Sequence, residues 1–241
     1  AGFPKDIYYL YQSLWNPDKK MAHILPHWNW KGREGEITPV MVYTSGDEAE
    51  LFLNGKSLGV RRRGQGDTYH QKLRVCKNAY RFVWEDVVYQ PGTLSVKVKK
   101  NGRPWATARR ITTGEAAMVR ACADRDTIKG DAQDLAFISL ELVDKKGNVV
   151  PTDCRSVESD ITGPAELVGF CNGNQTDHTC MQSKQQNFFN GRIVAIVRGR
   201  RAARGEAVVR IQADGLAEIK VPVNISDTED FKDVEKEKND D

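Results

Sequence analysis

The chain has 241 residues and a mass of 27.1 kDa, enough for one large domain or two ordinary ones. Apolar residues make up 39% and charged residues 29%, a composition typical of a globular protein and not of a disordered one. The net charge of +3 is too small to indicate a nucleic-acid partner, and no apolar run approaches the roughly 20 residues of a membrane-spanning helix.

The two ends of the chain differ in character. The N-terminus, Ala1-Gly2-Phe3-Pro4, has neither an initiator methionine nor the basic and apolar regions of a signal peptide. We therefore expect a processed start or a piece of a longer protein. Residues 227–241 hold eight acidic residues and three lysines, which predicts an acidic tail.

One helix is predicted near the N-terminus. Pro4 suits a first helical position, Asp6 is an acid in the first turn, and Asn16-Pro17 ends the pattern. An apolar stripe follows the helical period, formed by Ile7, Leu10, Tyr11 and Leu14. No helical partner follows in the sequence. The packing surface of the stripe is therefore expected to lie in a missing upstream domain. In this chain we expect the stripe to pack on the first sandwich, to pack on a second copy or to be poorly ordered.

The spacing of apolar residues changes from a helical period of 3.6 to a strand period of 2 after an aromatic connection. Residues 1–36 are therefore predicted to be a helix followed by a connector. Alternating residues in 37–113, with hairpin turns at Asn54-Gly55 and Asn101-Gly102, predict a first antiparallel β-sandwich. Residues 114–116 read as a linker. A second sandwich is predicted over 114–226, with a turn at 144–148, strands at 192–198, 205–213 and 217–225, and a long loop at 170–190.

Paired carboxylates are the first catalytic candidates, because glycosidases use two across a cleft. The closely spaced acids lie at predicted turns and lack apolar surroundings, which favours the interpretation that they are solvated. These pairs are Glu34/Glu36, Asp124/Asp126 and Asp131/Asp134. No nucleophile elbow, dinucleotide fingerprint or phosphate loop is present. We interpret the basic runs at 61–63 and 198–204 as the solvated ends of hairpins. We predict no catalytic residue.

The sequence gives only weak indications of metal binding or of disulfide bonds. His23 and His27 are four residues apart, but Pro26 argues against the helix that would align them, so we expect neither a metal site nor a cofactor. Five cysteines are an odd number without a paired motif: Cys76, Cys122, Cys154, Cys171 and Cys180. Cys171 and Cys180 could meet across a loop, although buried free thiols are the alternative.

Three tryptophans, Trp15, Trp28 and Trp30, fall within sixteen residues. Their rings could form a platform that stacks on sugar rings. The favoured interpretation is that they fill an interdomain seam, which is the commoner use of clustered aromatic residues.

Several runs resemble glycoside hydrolase family 2, in its β-galactosidase-like branch. Residues 2–15 are similar to the last helix of that family's catalytic barrel, and His23–Trp30 to the connection after it. Residues 50–59, ELFLNGKSLG, are similar to a hairpin of the immunoglobulin-like domain that follows, and residues 123–126, 131–135 and 143–151 to its C-terminal domain. Lys129-Gly130-Asp131 and Phe170–Asn174 depart from the family pattern.

The resemblance implies an all-β fold of two antiparallel immunoglobulin-like sandwiches, preceded by one helix left from a (β/α)8 barrel. It places the catalytic glutamates upstream of Ala1, so that this chain alone is predicted to be inactive and its partner to be the catalytic barrel. It also implies a periplasmic or secreted protein. The alternative is an independent carbohydrate-binding or adhesion module, whose first helix would then lack an explanation.

Overall fold

The structure, a computed structural model, describes residues 2–63 and 81–227. It divides the chain into two compact units, Phe3–Thr112 and the residues from Thr113 onward. Cys76 and the acidic tail beyond Asp227 lie outside the described residues. Among those described, no helix is long and apolar enough to cross a bilayer.

Within residues 3–63 and 81–112, the first unit contains one helix and two antiparallel sheets. Its elements are α1 (Asp6–Trp15), β1 (Ala22–Leu25), β2 (Val40–Thr44), β3 (Glu48–Leu53), β4 (Lys56–Arg62), β5 (Phe82–Trp84), β6 (Thr93–Lys100) and β7 (Arg103–Ile111). One sheet has the strand order β1-β2-β5 and the other β4-β3-β6-β7. The connector predicted within residues 1–36 is thus partly a strand, which ends where Pro26 lacks a backbone N–H.

Period-2 alternation determines which side chains face the core of the first unit. In β6 the apolar residues Leu94, Val96 and Val98 are buried, whereas Lys97 and Lys99 point outward. Leu51 of β3 lies opposite Val96 and is also fully buried. At both predicted hairpins an asparagine and a glycine have positive φ, as their turns require.

The second unit is a sandwich of a four-stranded sheet, β12-β14-β10-β8, and a five-stranded sheet, β13-β11-β15-β16-β9. Its strands are β8 (Met118–Ala123), β9 (Thr127–Lys129), β10 (Leu135–Val143), β11 (Ser156–Thr162), β12 (Ala165–Cys171), β13 (Gln185–Asn187), β14 (Arg192–Gly199), β15 (Gly205–Ala213) and β16 (Ile219–Ser226). The apolar face predicted for β10 is buried. The all-β prediction is confirmed, with one short parallel pairing between β16 and β9.

Candidate functional site

Helix α1 lies against β1 and β2 through one side only. The ring of Tyr9 stacks on the imidazole of His23, with centroids 3.8 Å apart and planes at 10°. Ser13, one helical turn later, is buried, and its hydroxyl donates to the Leu10 carbonyl at 2.7 Å. The inward side of the helix is therefore built on Tyr9 and Ser13. Of the predicted apolar stripe, Leu10 and Leu14 are partly buried, whereas Ile7 and Tyr11 are exposed. The helix also begins at Asp6, two residues after Pro4, because Lys5 has extended backbone.

A chain of polar contacts holds this helix in place. His23 Nε2 donates to Asp6 Oδ1 at 2.7 Å, and an Arg110 guanidinium nitrogen lies 3.2 Å from His23 Nδ1. Because arginine only donates, Nδ1 must accept, which fixes the Nε2–H tautomer. The hydrogen bond from His23 holds the pKa of Asp6 below its usual value. Arg110 also donates to the Ile24 carbonyl at 2.9 Å, which ties β7 to β1.

The outward side of α1 is apolar. Ile7, Tyr8 and Tyr11 are each about half exposed and Trp15 is 77% exposed; these four residues are called the aromatic face here. The rings of Tyr11 and Trp15 stack, with centroids 4.6 Å apart. The helix thus packs on the first unit with only part of the predicted stripe, and it still presents apolar surface to solvent. Such patches mark contact sites for other molecules or domains.

The three tryptophans predicted as a sugar platform have different surroundings. Trp28 is 1% exposed, its ring meets Tyr89 edge-on, and its Nε1 donates to the Gln90 carbonyl at 3.0 Å. The Trp28 carbonyl accepts from the Thr112 hydroxyl at 2.6 Å. Trp28 therefore fills the core and offers no ring face to a ligand. Trp15 belongs to the aromatic face, so the structure does not bring the three rings to one surface.

Trp30 is partly buried and stacks on His27 at 4.3 Å, with the Arg33 guanidinium 5.1 Å from its ring centroid. Burial lowers the pKa of His27, and the nearby charge of Arg110 lowers it further. Within residues 2–63 and 81–227, no group of three histidine, cysteine or acidic side chains could hold a metal ion. Sugar binding by Trp30 or Trp15 stays a prediction.

The paired acids have structural partners. Asp131 accepts from the backbone N–H groups of Gln133 and Asp134 at 2.8 Å. Those backbone hydrogen bonds hold the pKa of Asp131 below its usual value. Glu36 pairs with Arg33 at 2.7 Å. These acids close turns or join surface ion pairs, and the pKa of Asp131 is lowered, whereas a general acid requires a raised one.

The basic run at 61–63 is also structural. Arg62 pairs with Glu48 at 2.8 Å, and Arg63 donates to the carbonyls of Thr44 and Gly46. Burial lowers the pKa of Arg63. The described cysteines are free thiols: Cys122, Cys154 and Cys180 are exposed and Cys171 is partly buried. Cys171 and Cys180 therefore do not pair, and the expectation of buried thiols is also wrong.

Both units match models of known protein domains. Residues 119–222 match the model of the glycoside hydrolase family 2 C-terminal domain 5, and residues 35–106 match a domain of unknown function, DUF4982. The chain carries the C-terminal region of a glycoside hydrolase family 2 protein.

Relatives of this family 2 region are much longer proteins. The β-galactosidase BoGH2A of Bacteroides ovatus is 34% identical over 216 residues, which are 90% of this chain and 24% of the relative. A putative β-glucuronidase of Formosa agariphila is 33% identical over 180 residues, 74% of this chain and 16% of that protein. The chain therefore spans about a quarter or less of the length of these relatives.

Solved structures agree with this assignment. A β-glycosidase from Bacteroides vulgatus is 31% identical, with a TM-score of 0.79 over 92% of this chain and 27% of that one. A family 2 member from Bacteroides cellulosilyticus has a TM-score of 0.81 at 27% identity, over 93% of this chain and 31% of that one. Both units of the family 2 region thus have counterparts in solved family members.

Proposed function

We propose that this chain is the accessory C-terminal region of a family 2 glycoside hydrolase that acts on β-galactosides, and that it braces the catalytic part of that protein. The observation that supports the proposal is the two-sided character of α1. One side is fixed to the first sandwich by stacking, burial and the Asp6–His23 contact. The other side, the aromatic face, is apolar and exposed.

A helix built in this way is suited to join two structures. The energetic scale follows from the exposed fractions of Tyr11 and Trp15, 46% and 77%. Aromatic side chains bury roughly 150–250 Å² each, so covering these two rings would remove about 250 Å² from water. At about 25 cal/mol per Å², that burial contributes at most about 6 kcal/mol. The aromatic face can therefore stabilise a docked catalytic part substantially.

The test exchanges the matching 216-residue region of the Bacteroides ovatus β-galactosidase for this chain. We expect the exchanged enzyme to hydrolyse nitrophenyl β-galactoside. Replacing Tyr11 and Trp15 together by serine should shorten the half-life of that activity at elevated temperature by at least tenfold. The matched control is Phe137→Ser, which changes an exposed aromatic residue of the second unit.

The independent-module alternative makes the opposite prediction. A self-contained binding module needs no neighbour on α1, so the serine variants would then inactivate at the same rate as the control. Equal half-lives for the double variant and Phe137→Ser would therefore contradict the bracing role.

A further inference from the structure

A polar cleft of about 580 Å³ opens beside the β6–β7 turn of the first unit. Two separate segments line it: Asp18 and Lys20, which precede β1, and the stretch from Lys100 to Trp105, which forms the turn and the start of β7. The cleft lies wholly within one unit, and of the motifs considered above only the Asn101-Gly102 turn contributes to it.

Trp105 organises the cleft. Its indole Nε1 donates to the Ser45 hydroxyl at 2.8 Å, and that hydroxyl donates to the Lys19 carbonyl at 2.5 Å. The ring is thereby tied to the segment before β1. Two ammonium groups converge on the same ring, Lys100 Nζ at 4.6 Å and Lys20 Nζ at 5.5 Å from its centroid. Both distances are within the range of cation–π attraction.

The cleft has more positive than negative charge. Asp18 is its one carboxylate; it is almost fully exposed and lies 3.9 Å from Lys100. Lys100 also donates to the Pro17 carbonyl at 2.5 Å. Within residues 2–63 and 81–227, neither Lys20 nor Arg103 forms an ion pair. Two cations without carboxylate partners, beside a third, create a positive potential that attracts an anion.

The size and lining of the cleft indicate the class of ligand. A volume of about 580 Å³ is far larger than a lone inorganic anion requires and lies within the range of small organic ligands. The indole of Trp105 is partly exposed, and it supplies an apolar surface for the C–H face of a ring when Lys20 leaves it to pair with a carboxylate. The exposed Asn101, at the tip of the turn, and the carboxylate of Asp18 supply hydrogen-bonding groups for hydroxyls.

We propose that this cleft binds a saccharide that carries a carboxylate, with a uronic acid residue as its ligand. The carboxylate contacts Lys20 and Arg103, the sugar hydroxyls contact Asn101 and Asp18, and the pyranose ring lies against Trp105. Arginine and lysine both form charge-assisted hydrogen bonds with carboxylates, and these are stronger than neutral ones. This inference does not depend on the aromatic face of α1.

The experiment titrates the 241-residue chain with methyl β-glucuronide, methyl β-glucoside and sodium acetate by isothermal calorimetry at low salt. We expect the glucuronide to bind with a Kd on the order of millimolar, at least tenfold more tightly than either the neutral sugar or acetate. Added sodium chloride should weaken the binding. Equal affinity for glucuronide and glucoside, or for glucuronide and acetate, would overturn the proposal.

Two variants test the residues. Lys20→Gln and Arg103→Gln change exposed side chains, so neither is expected to impair folding, which circular dichroism checks. Each should raise the Kd for the glucuronide at least fivefold. The matched control is Lys56→Gln, an exposed lysine beside the Asn54-Gly55 turn, at the opposite end of the sheet. Unchanged binding in both cleft variants, or equal loss in the control, would overturn the proposal.

Discussion

Replacing Trp28 by phenylalanine should lower the unfolding temperature of the first unit markedly, whereas the same replacement at Trp15 should leave it nearly unchanged. The two residues were candidates for the same sugar platform. The structure gives them opposite environments, since Trp28 is 1% exposed and Trp15 is 77% exposed. The comparison therefore separates a packing role from a surface role.

The expected magnitude follows from the contacts of Trp28. Phenylalanine lacks the indole N–H that donates to the Gln90 carbonyl at 3.0 Å, and it leaves part of the indole volume empty. The lost hydrogen bond and a small cavity together cost about 2–3 kcal/mol. In a domain of this size, that loss lowers the unfolding temperature by about 10–20 °C. At an exposed position such as Trp15 the change should stay within about 0.5 kcal/mol.

Tryptophan fluorescence is a selective assay, because all five tryptophans lie between residues 15 and 105, within the first unit. Thermal unfolding followed by the emission maximum therefore reports on that unit alone. Far-ultraviolet circular dichroism follows both units. Equal shifts for Trp28→Phe and Trp15→Phe, or no shift for Trp28→Phe, would refute the reasoning.

Three further results are expected. Burial acts to raise the pKa of Asp144, but hydrogen bonds from Asn148 and Gly114 hold it below its usual value. The stability that the ionised Asp144 adds to the second unit is therefore present above a pH of about 4 and is lost as the pH falls towards the lower folded-state pKa. Asp144→Asn should therefore flatten the acid dependence of urea unfolding of the second unit, followed by circular dichroism, and an unchanged profile would contradict this. Gly92→Ala should destabilise the first unit by about 1–3 kcal/mol in fluorescence melts, because its φ is +138° and an added Cβ would overlap a neighbouring side chain, whereas Gly102→Ala, with open space around it, should cost less. The chain alone should not hydrolyse nitrophenyl β-galactoside; turnover that disappears on replacing Glu34 and Glu36 by glutamine would show a self-contained enzyme.

Strands with regular alternation could be predicted from the sequence. β15 runs from Gly205 to Ala213, the predicted range, because its alternate residues face a single core. Two short strands could not be predicted. β1 has only four residues, too few to show a period-2 pattern. β13 consists of Gln185, Gln186 and Asn187 within a polar stretch, and the buried Gln186 is accommodated because its amide donates to the Cys180 carbonyl.

The site was less predictable, because burial depends on residues far away in the sequence. Trp28 is enclosed by Tyr89 and Gln90, about sixty residues later. Helical periodicity placed Ile7 and Tyr11 on one side of α1, but the contacts of His23 determine which side faces inward. The cleft at Trp105 combines two segments some eighty residues apart, each unremarkable in isolation.

The contacts of β7 with the start of the first unit have a consequence for biosynthesis. Arg110 donates to the Ile24 carbonyl and Thr112 to the Trp28 carbonyl, across 86 and 84 residues. A nascent chain cannot complete this unit until residue 112 has left the ribosome, and contacts of such long range favour slow folding. A shortened chain that ends before Arg110 would leave both carbonyls without these donors, so the first unit should be separated from the second only after Thr112.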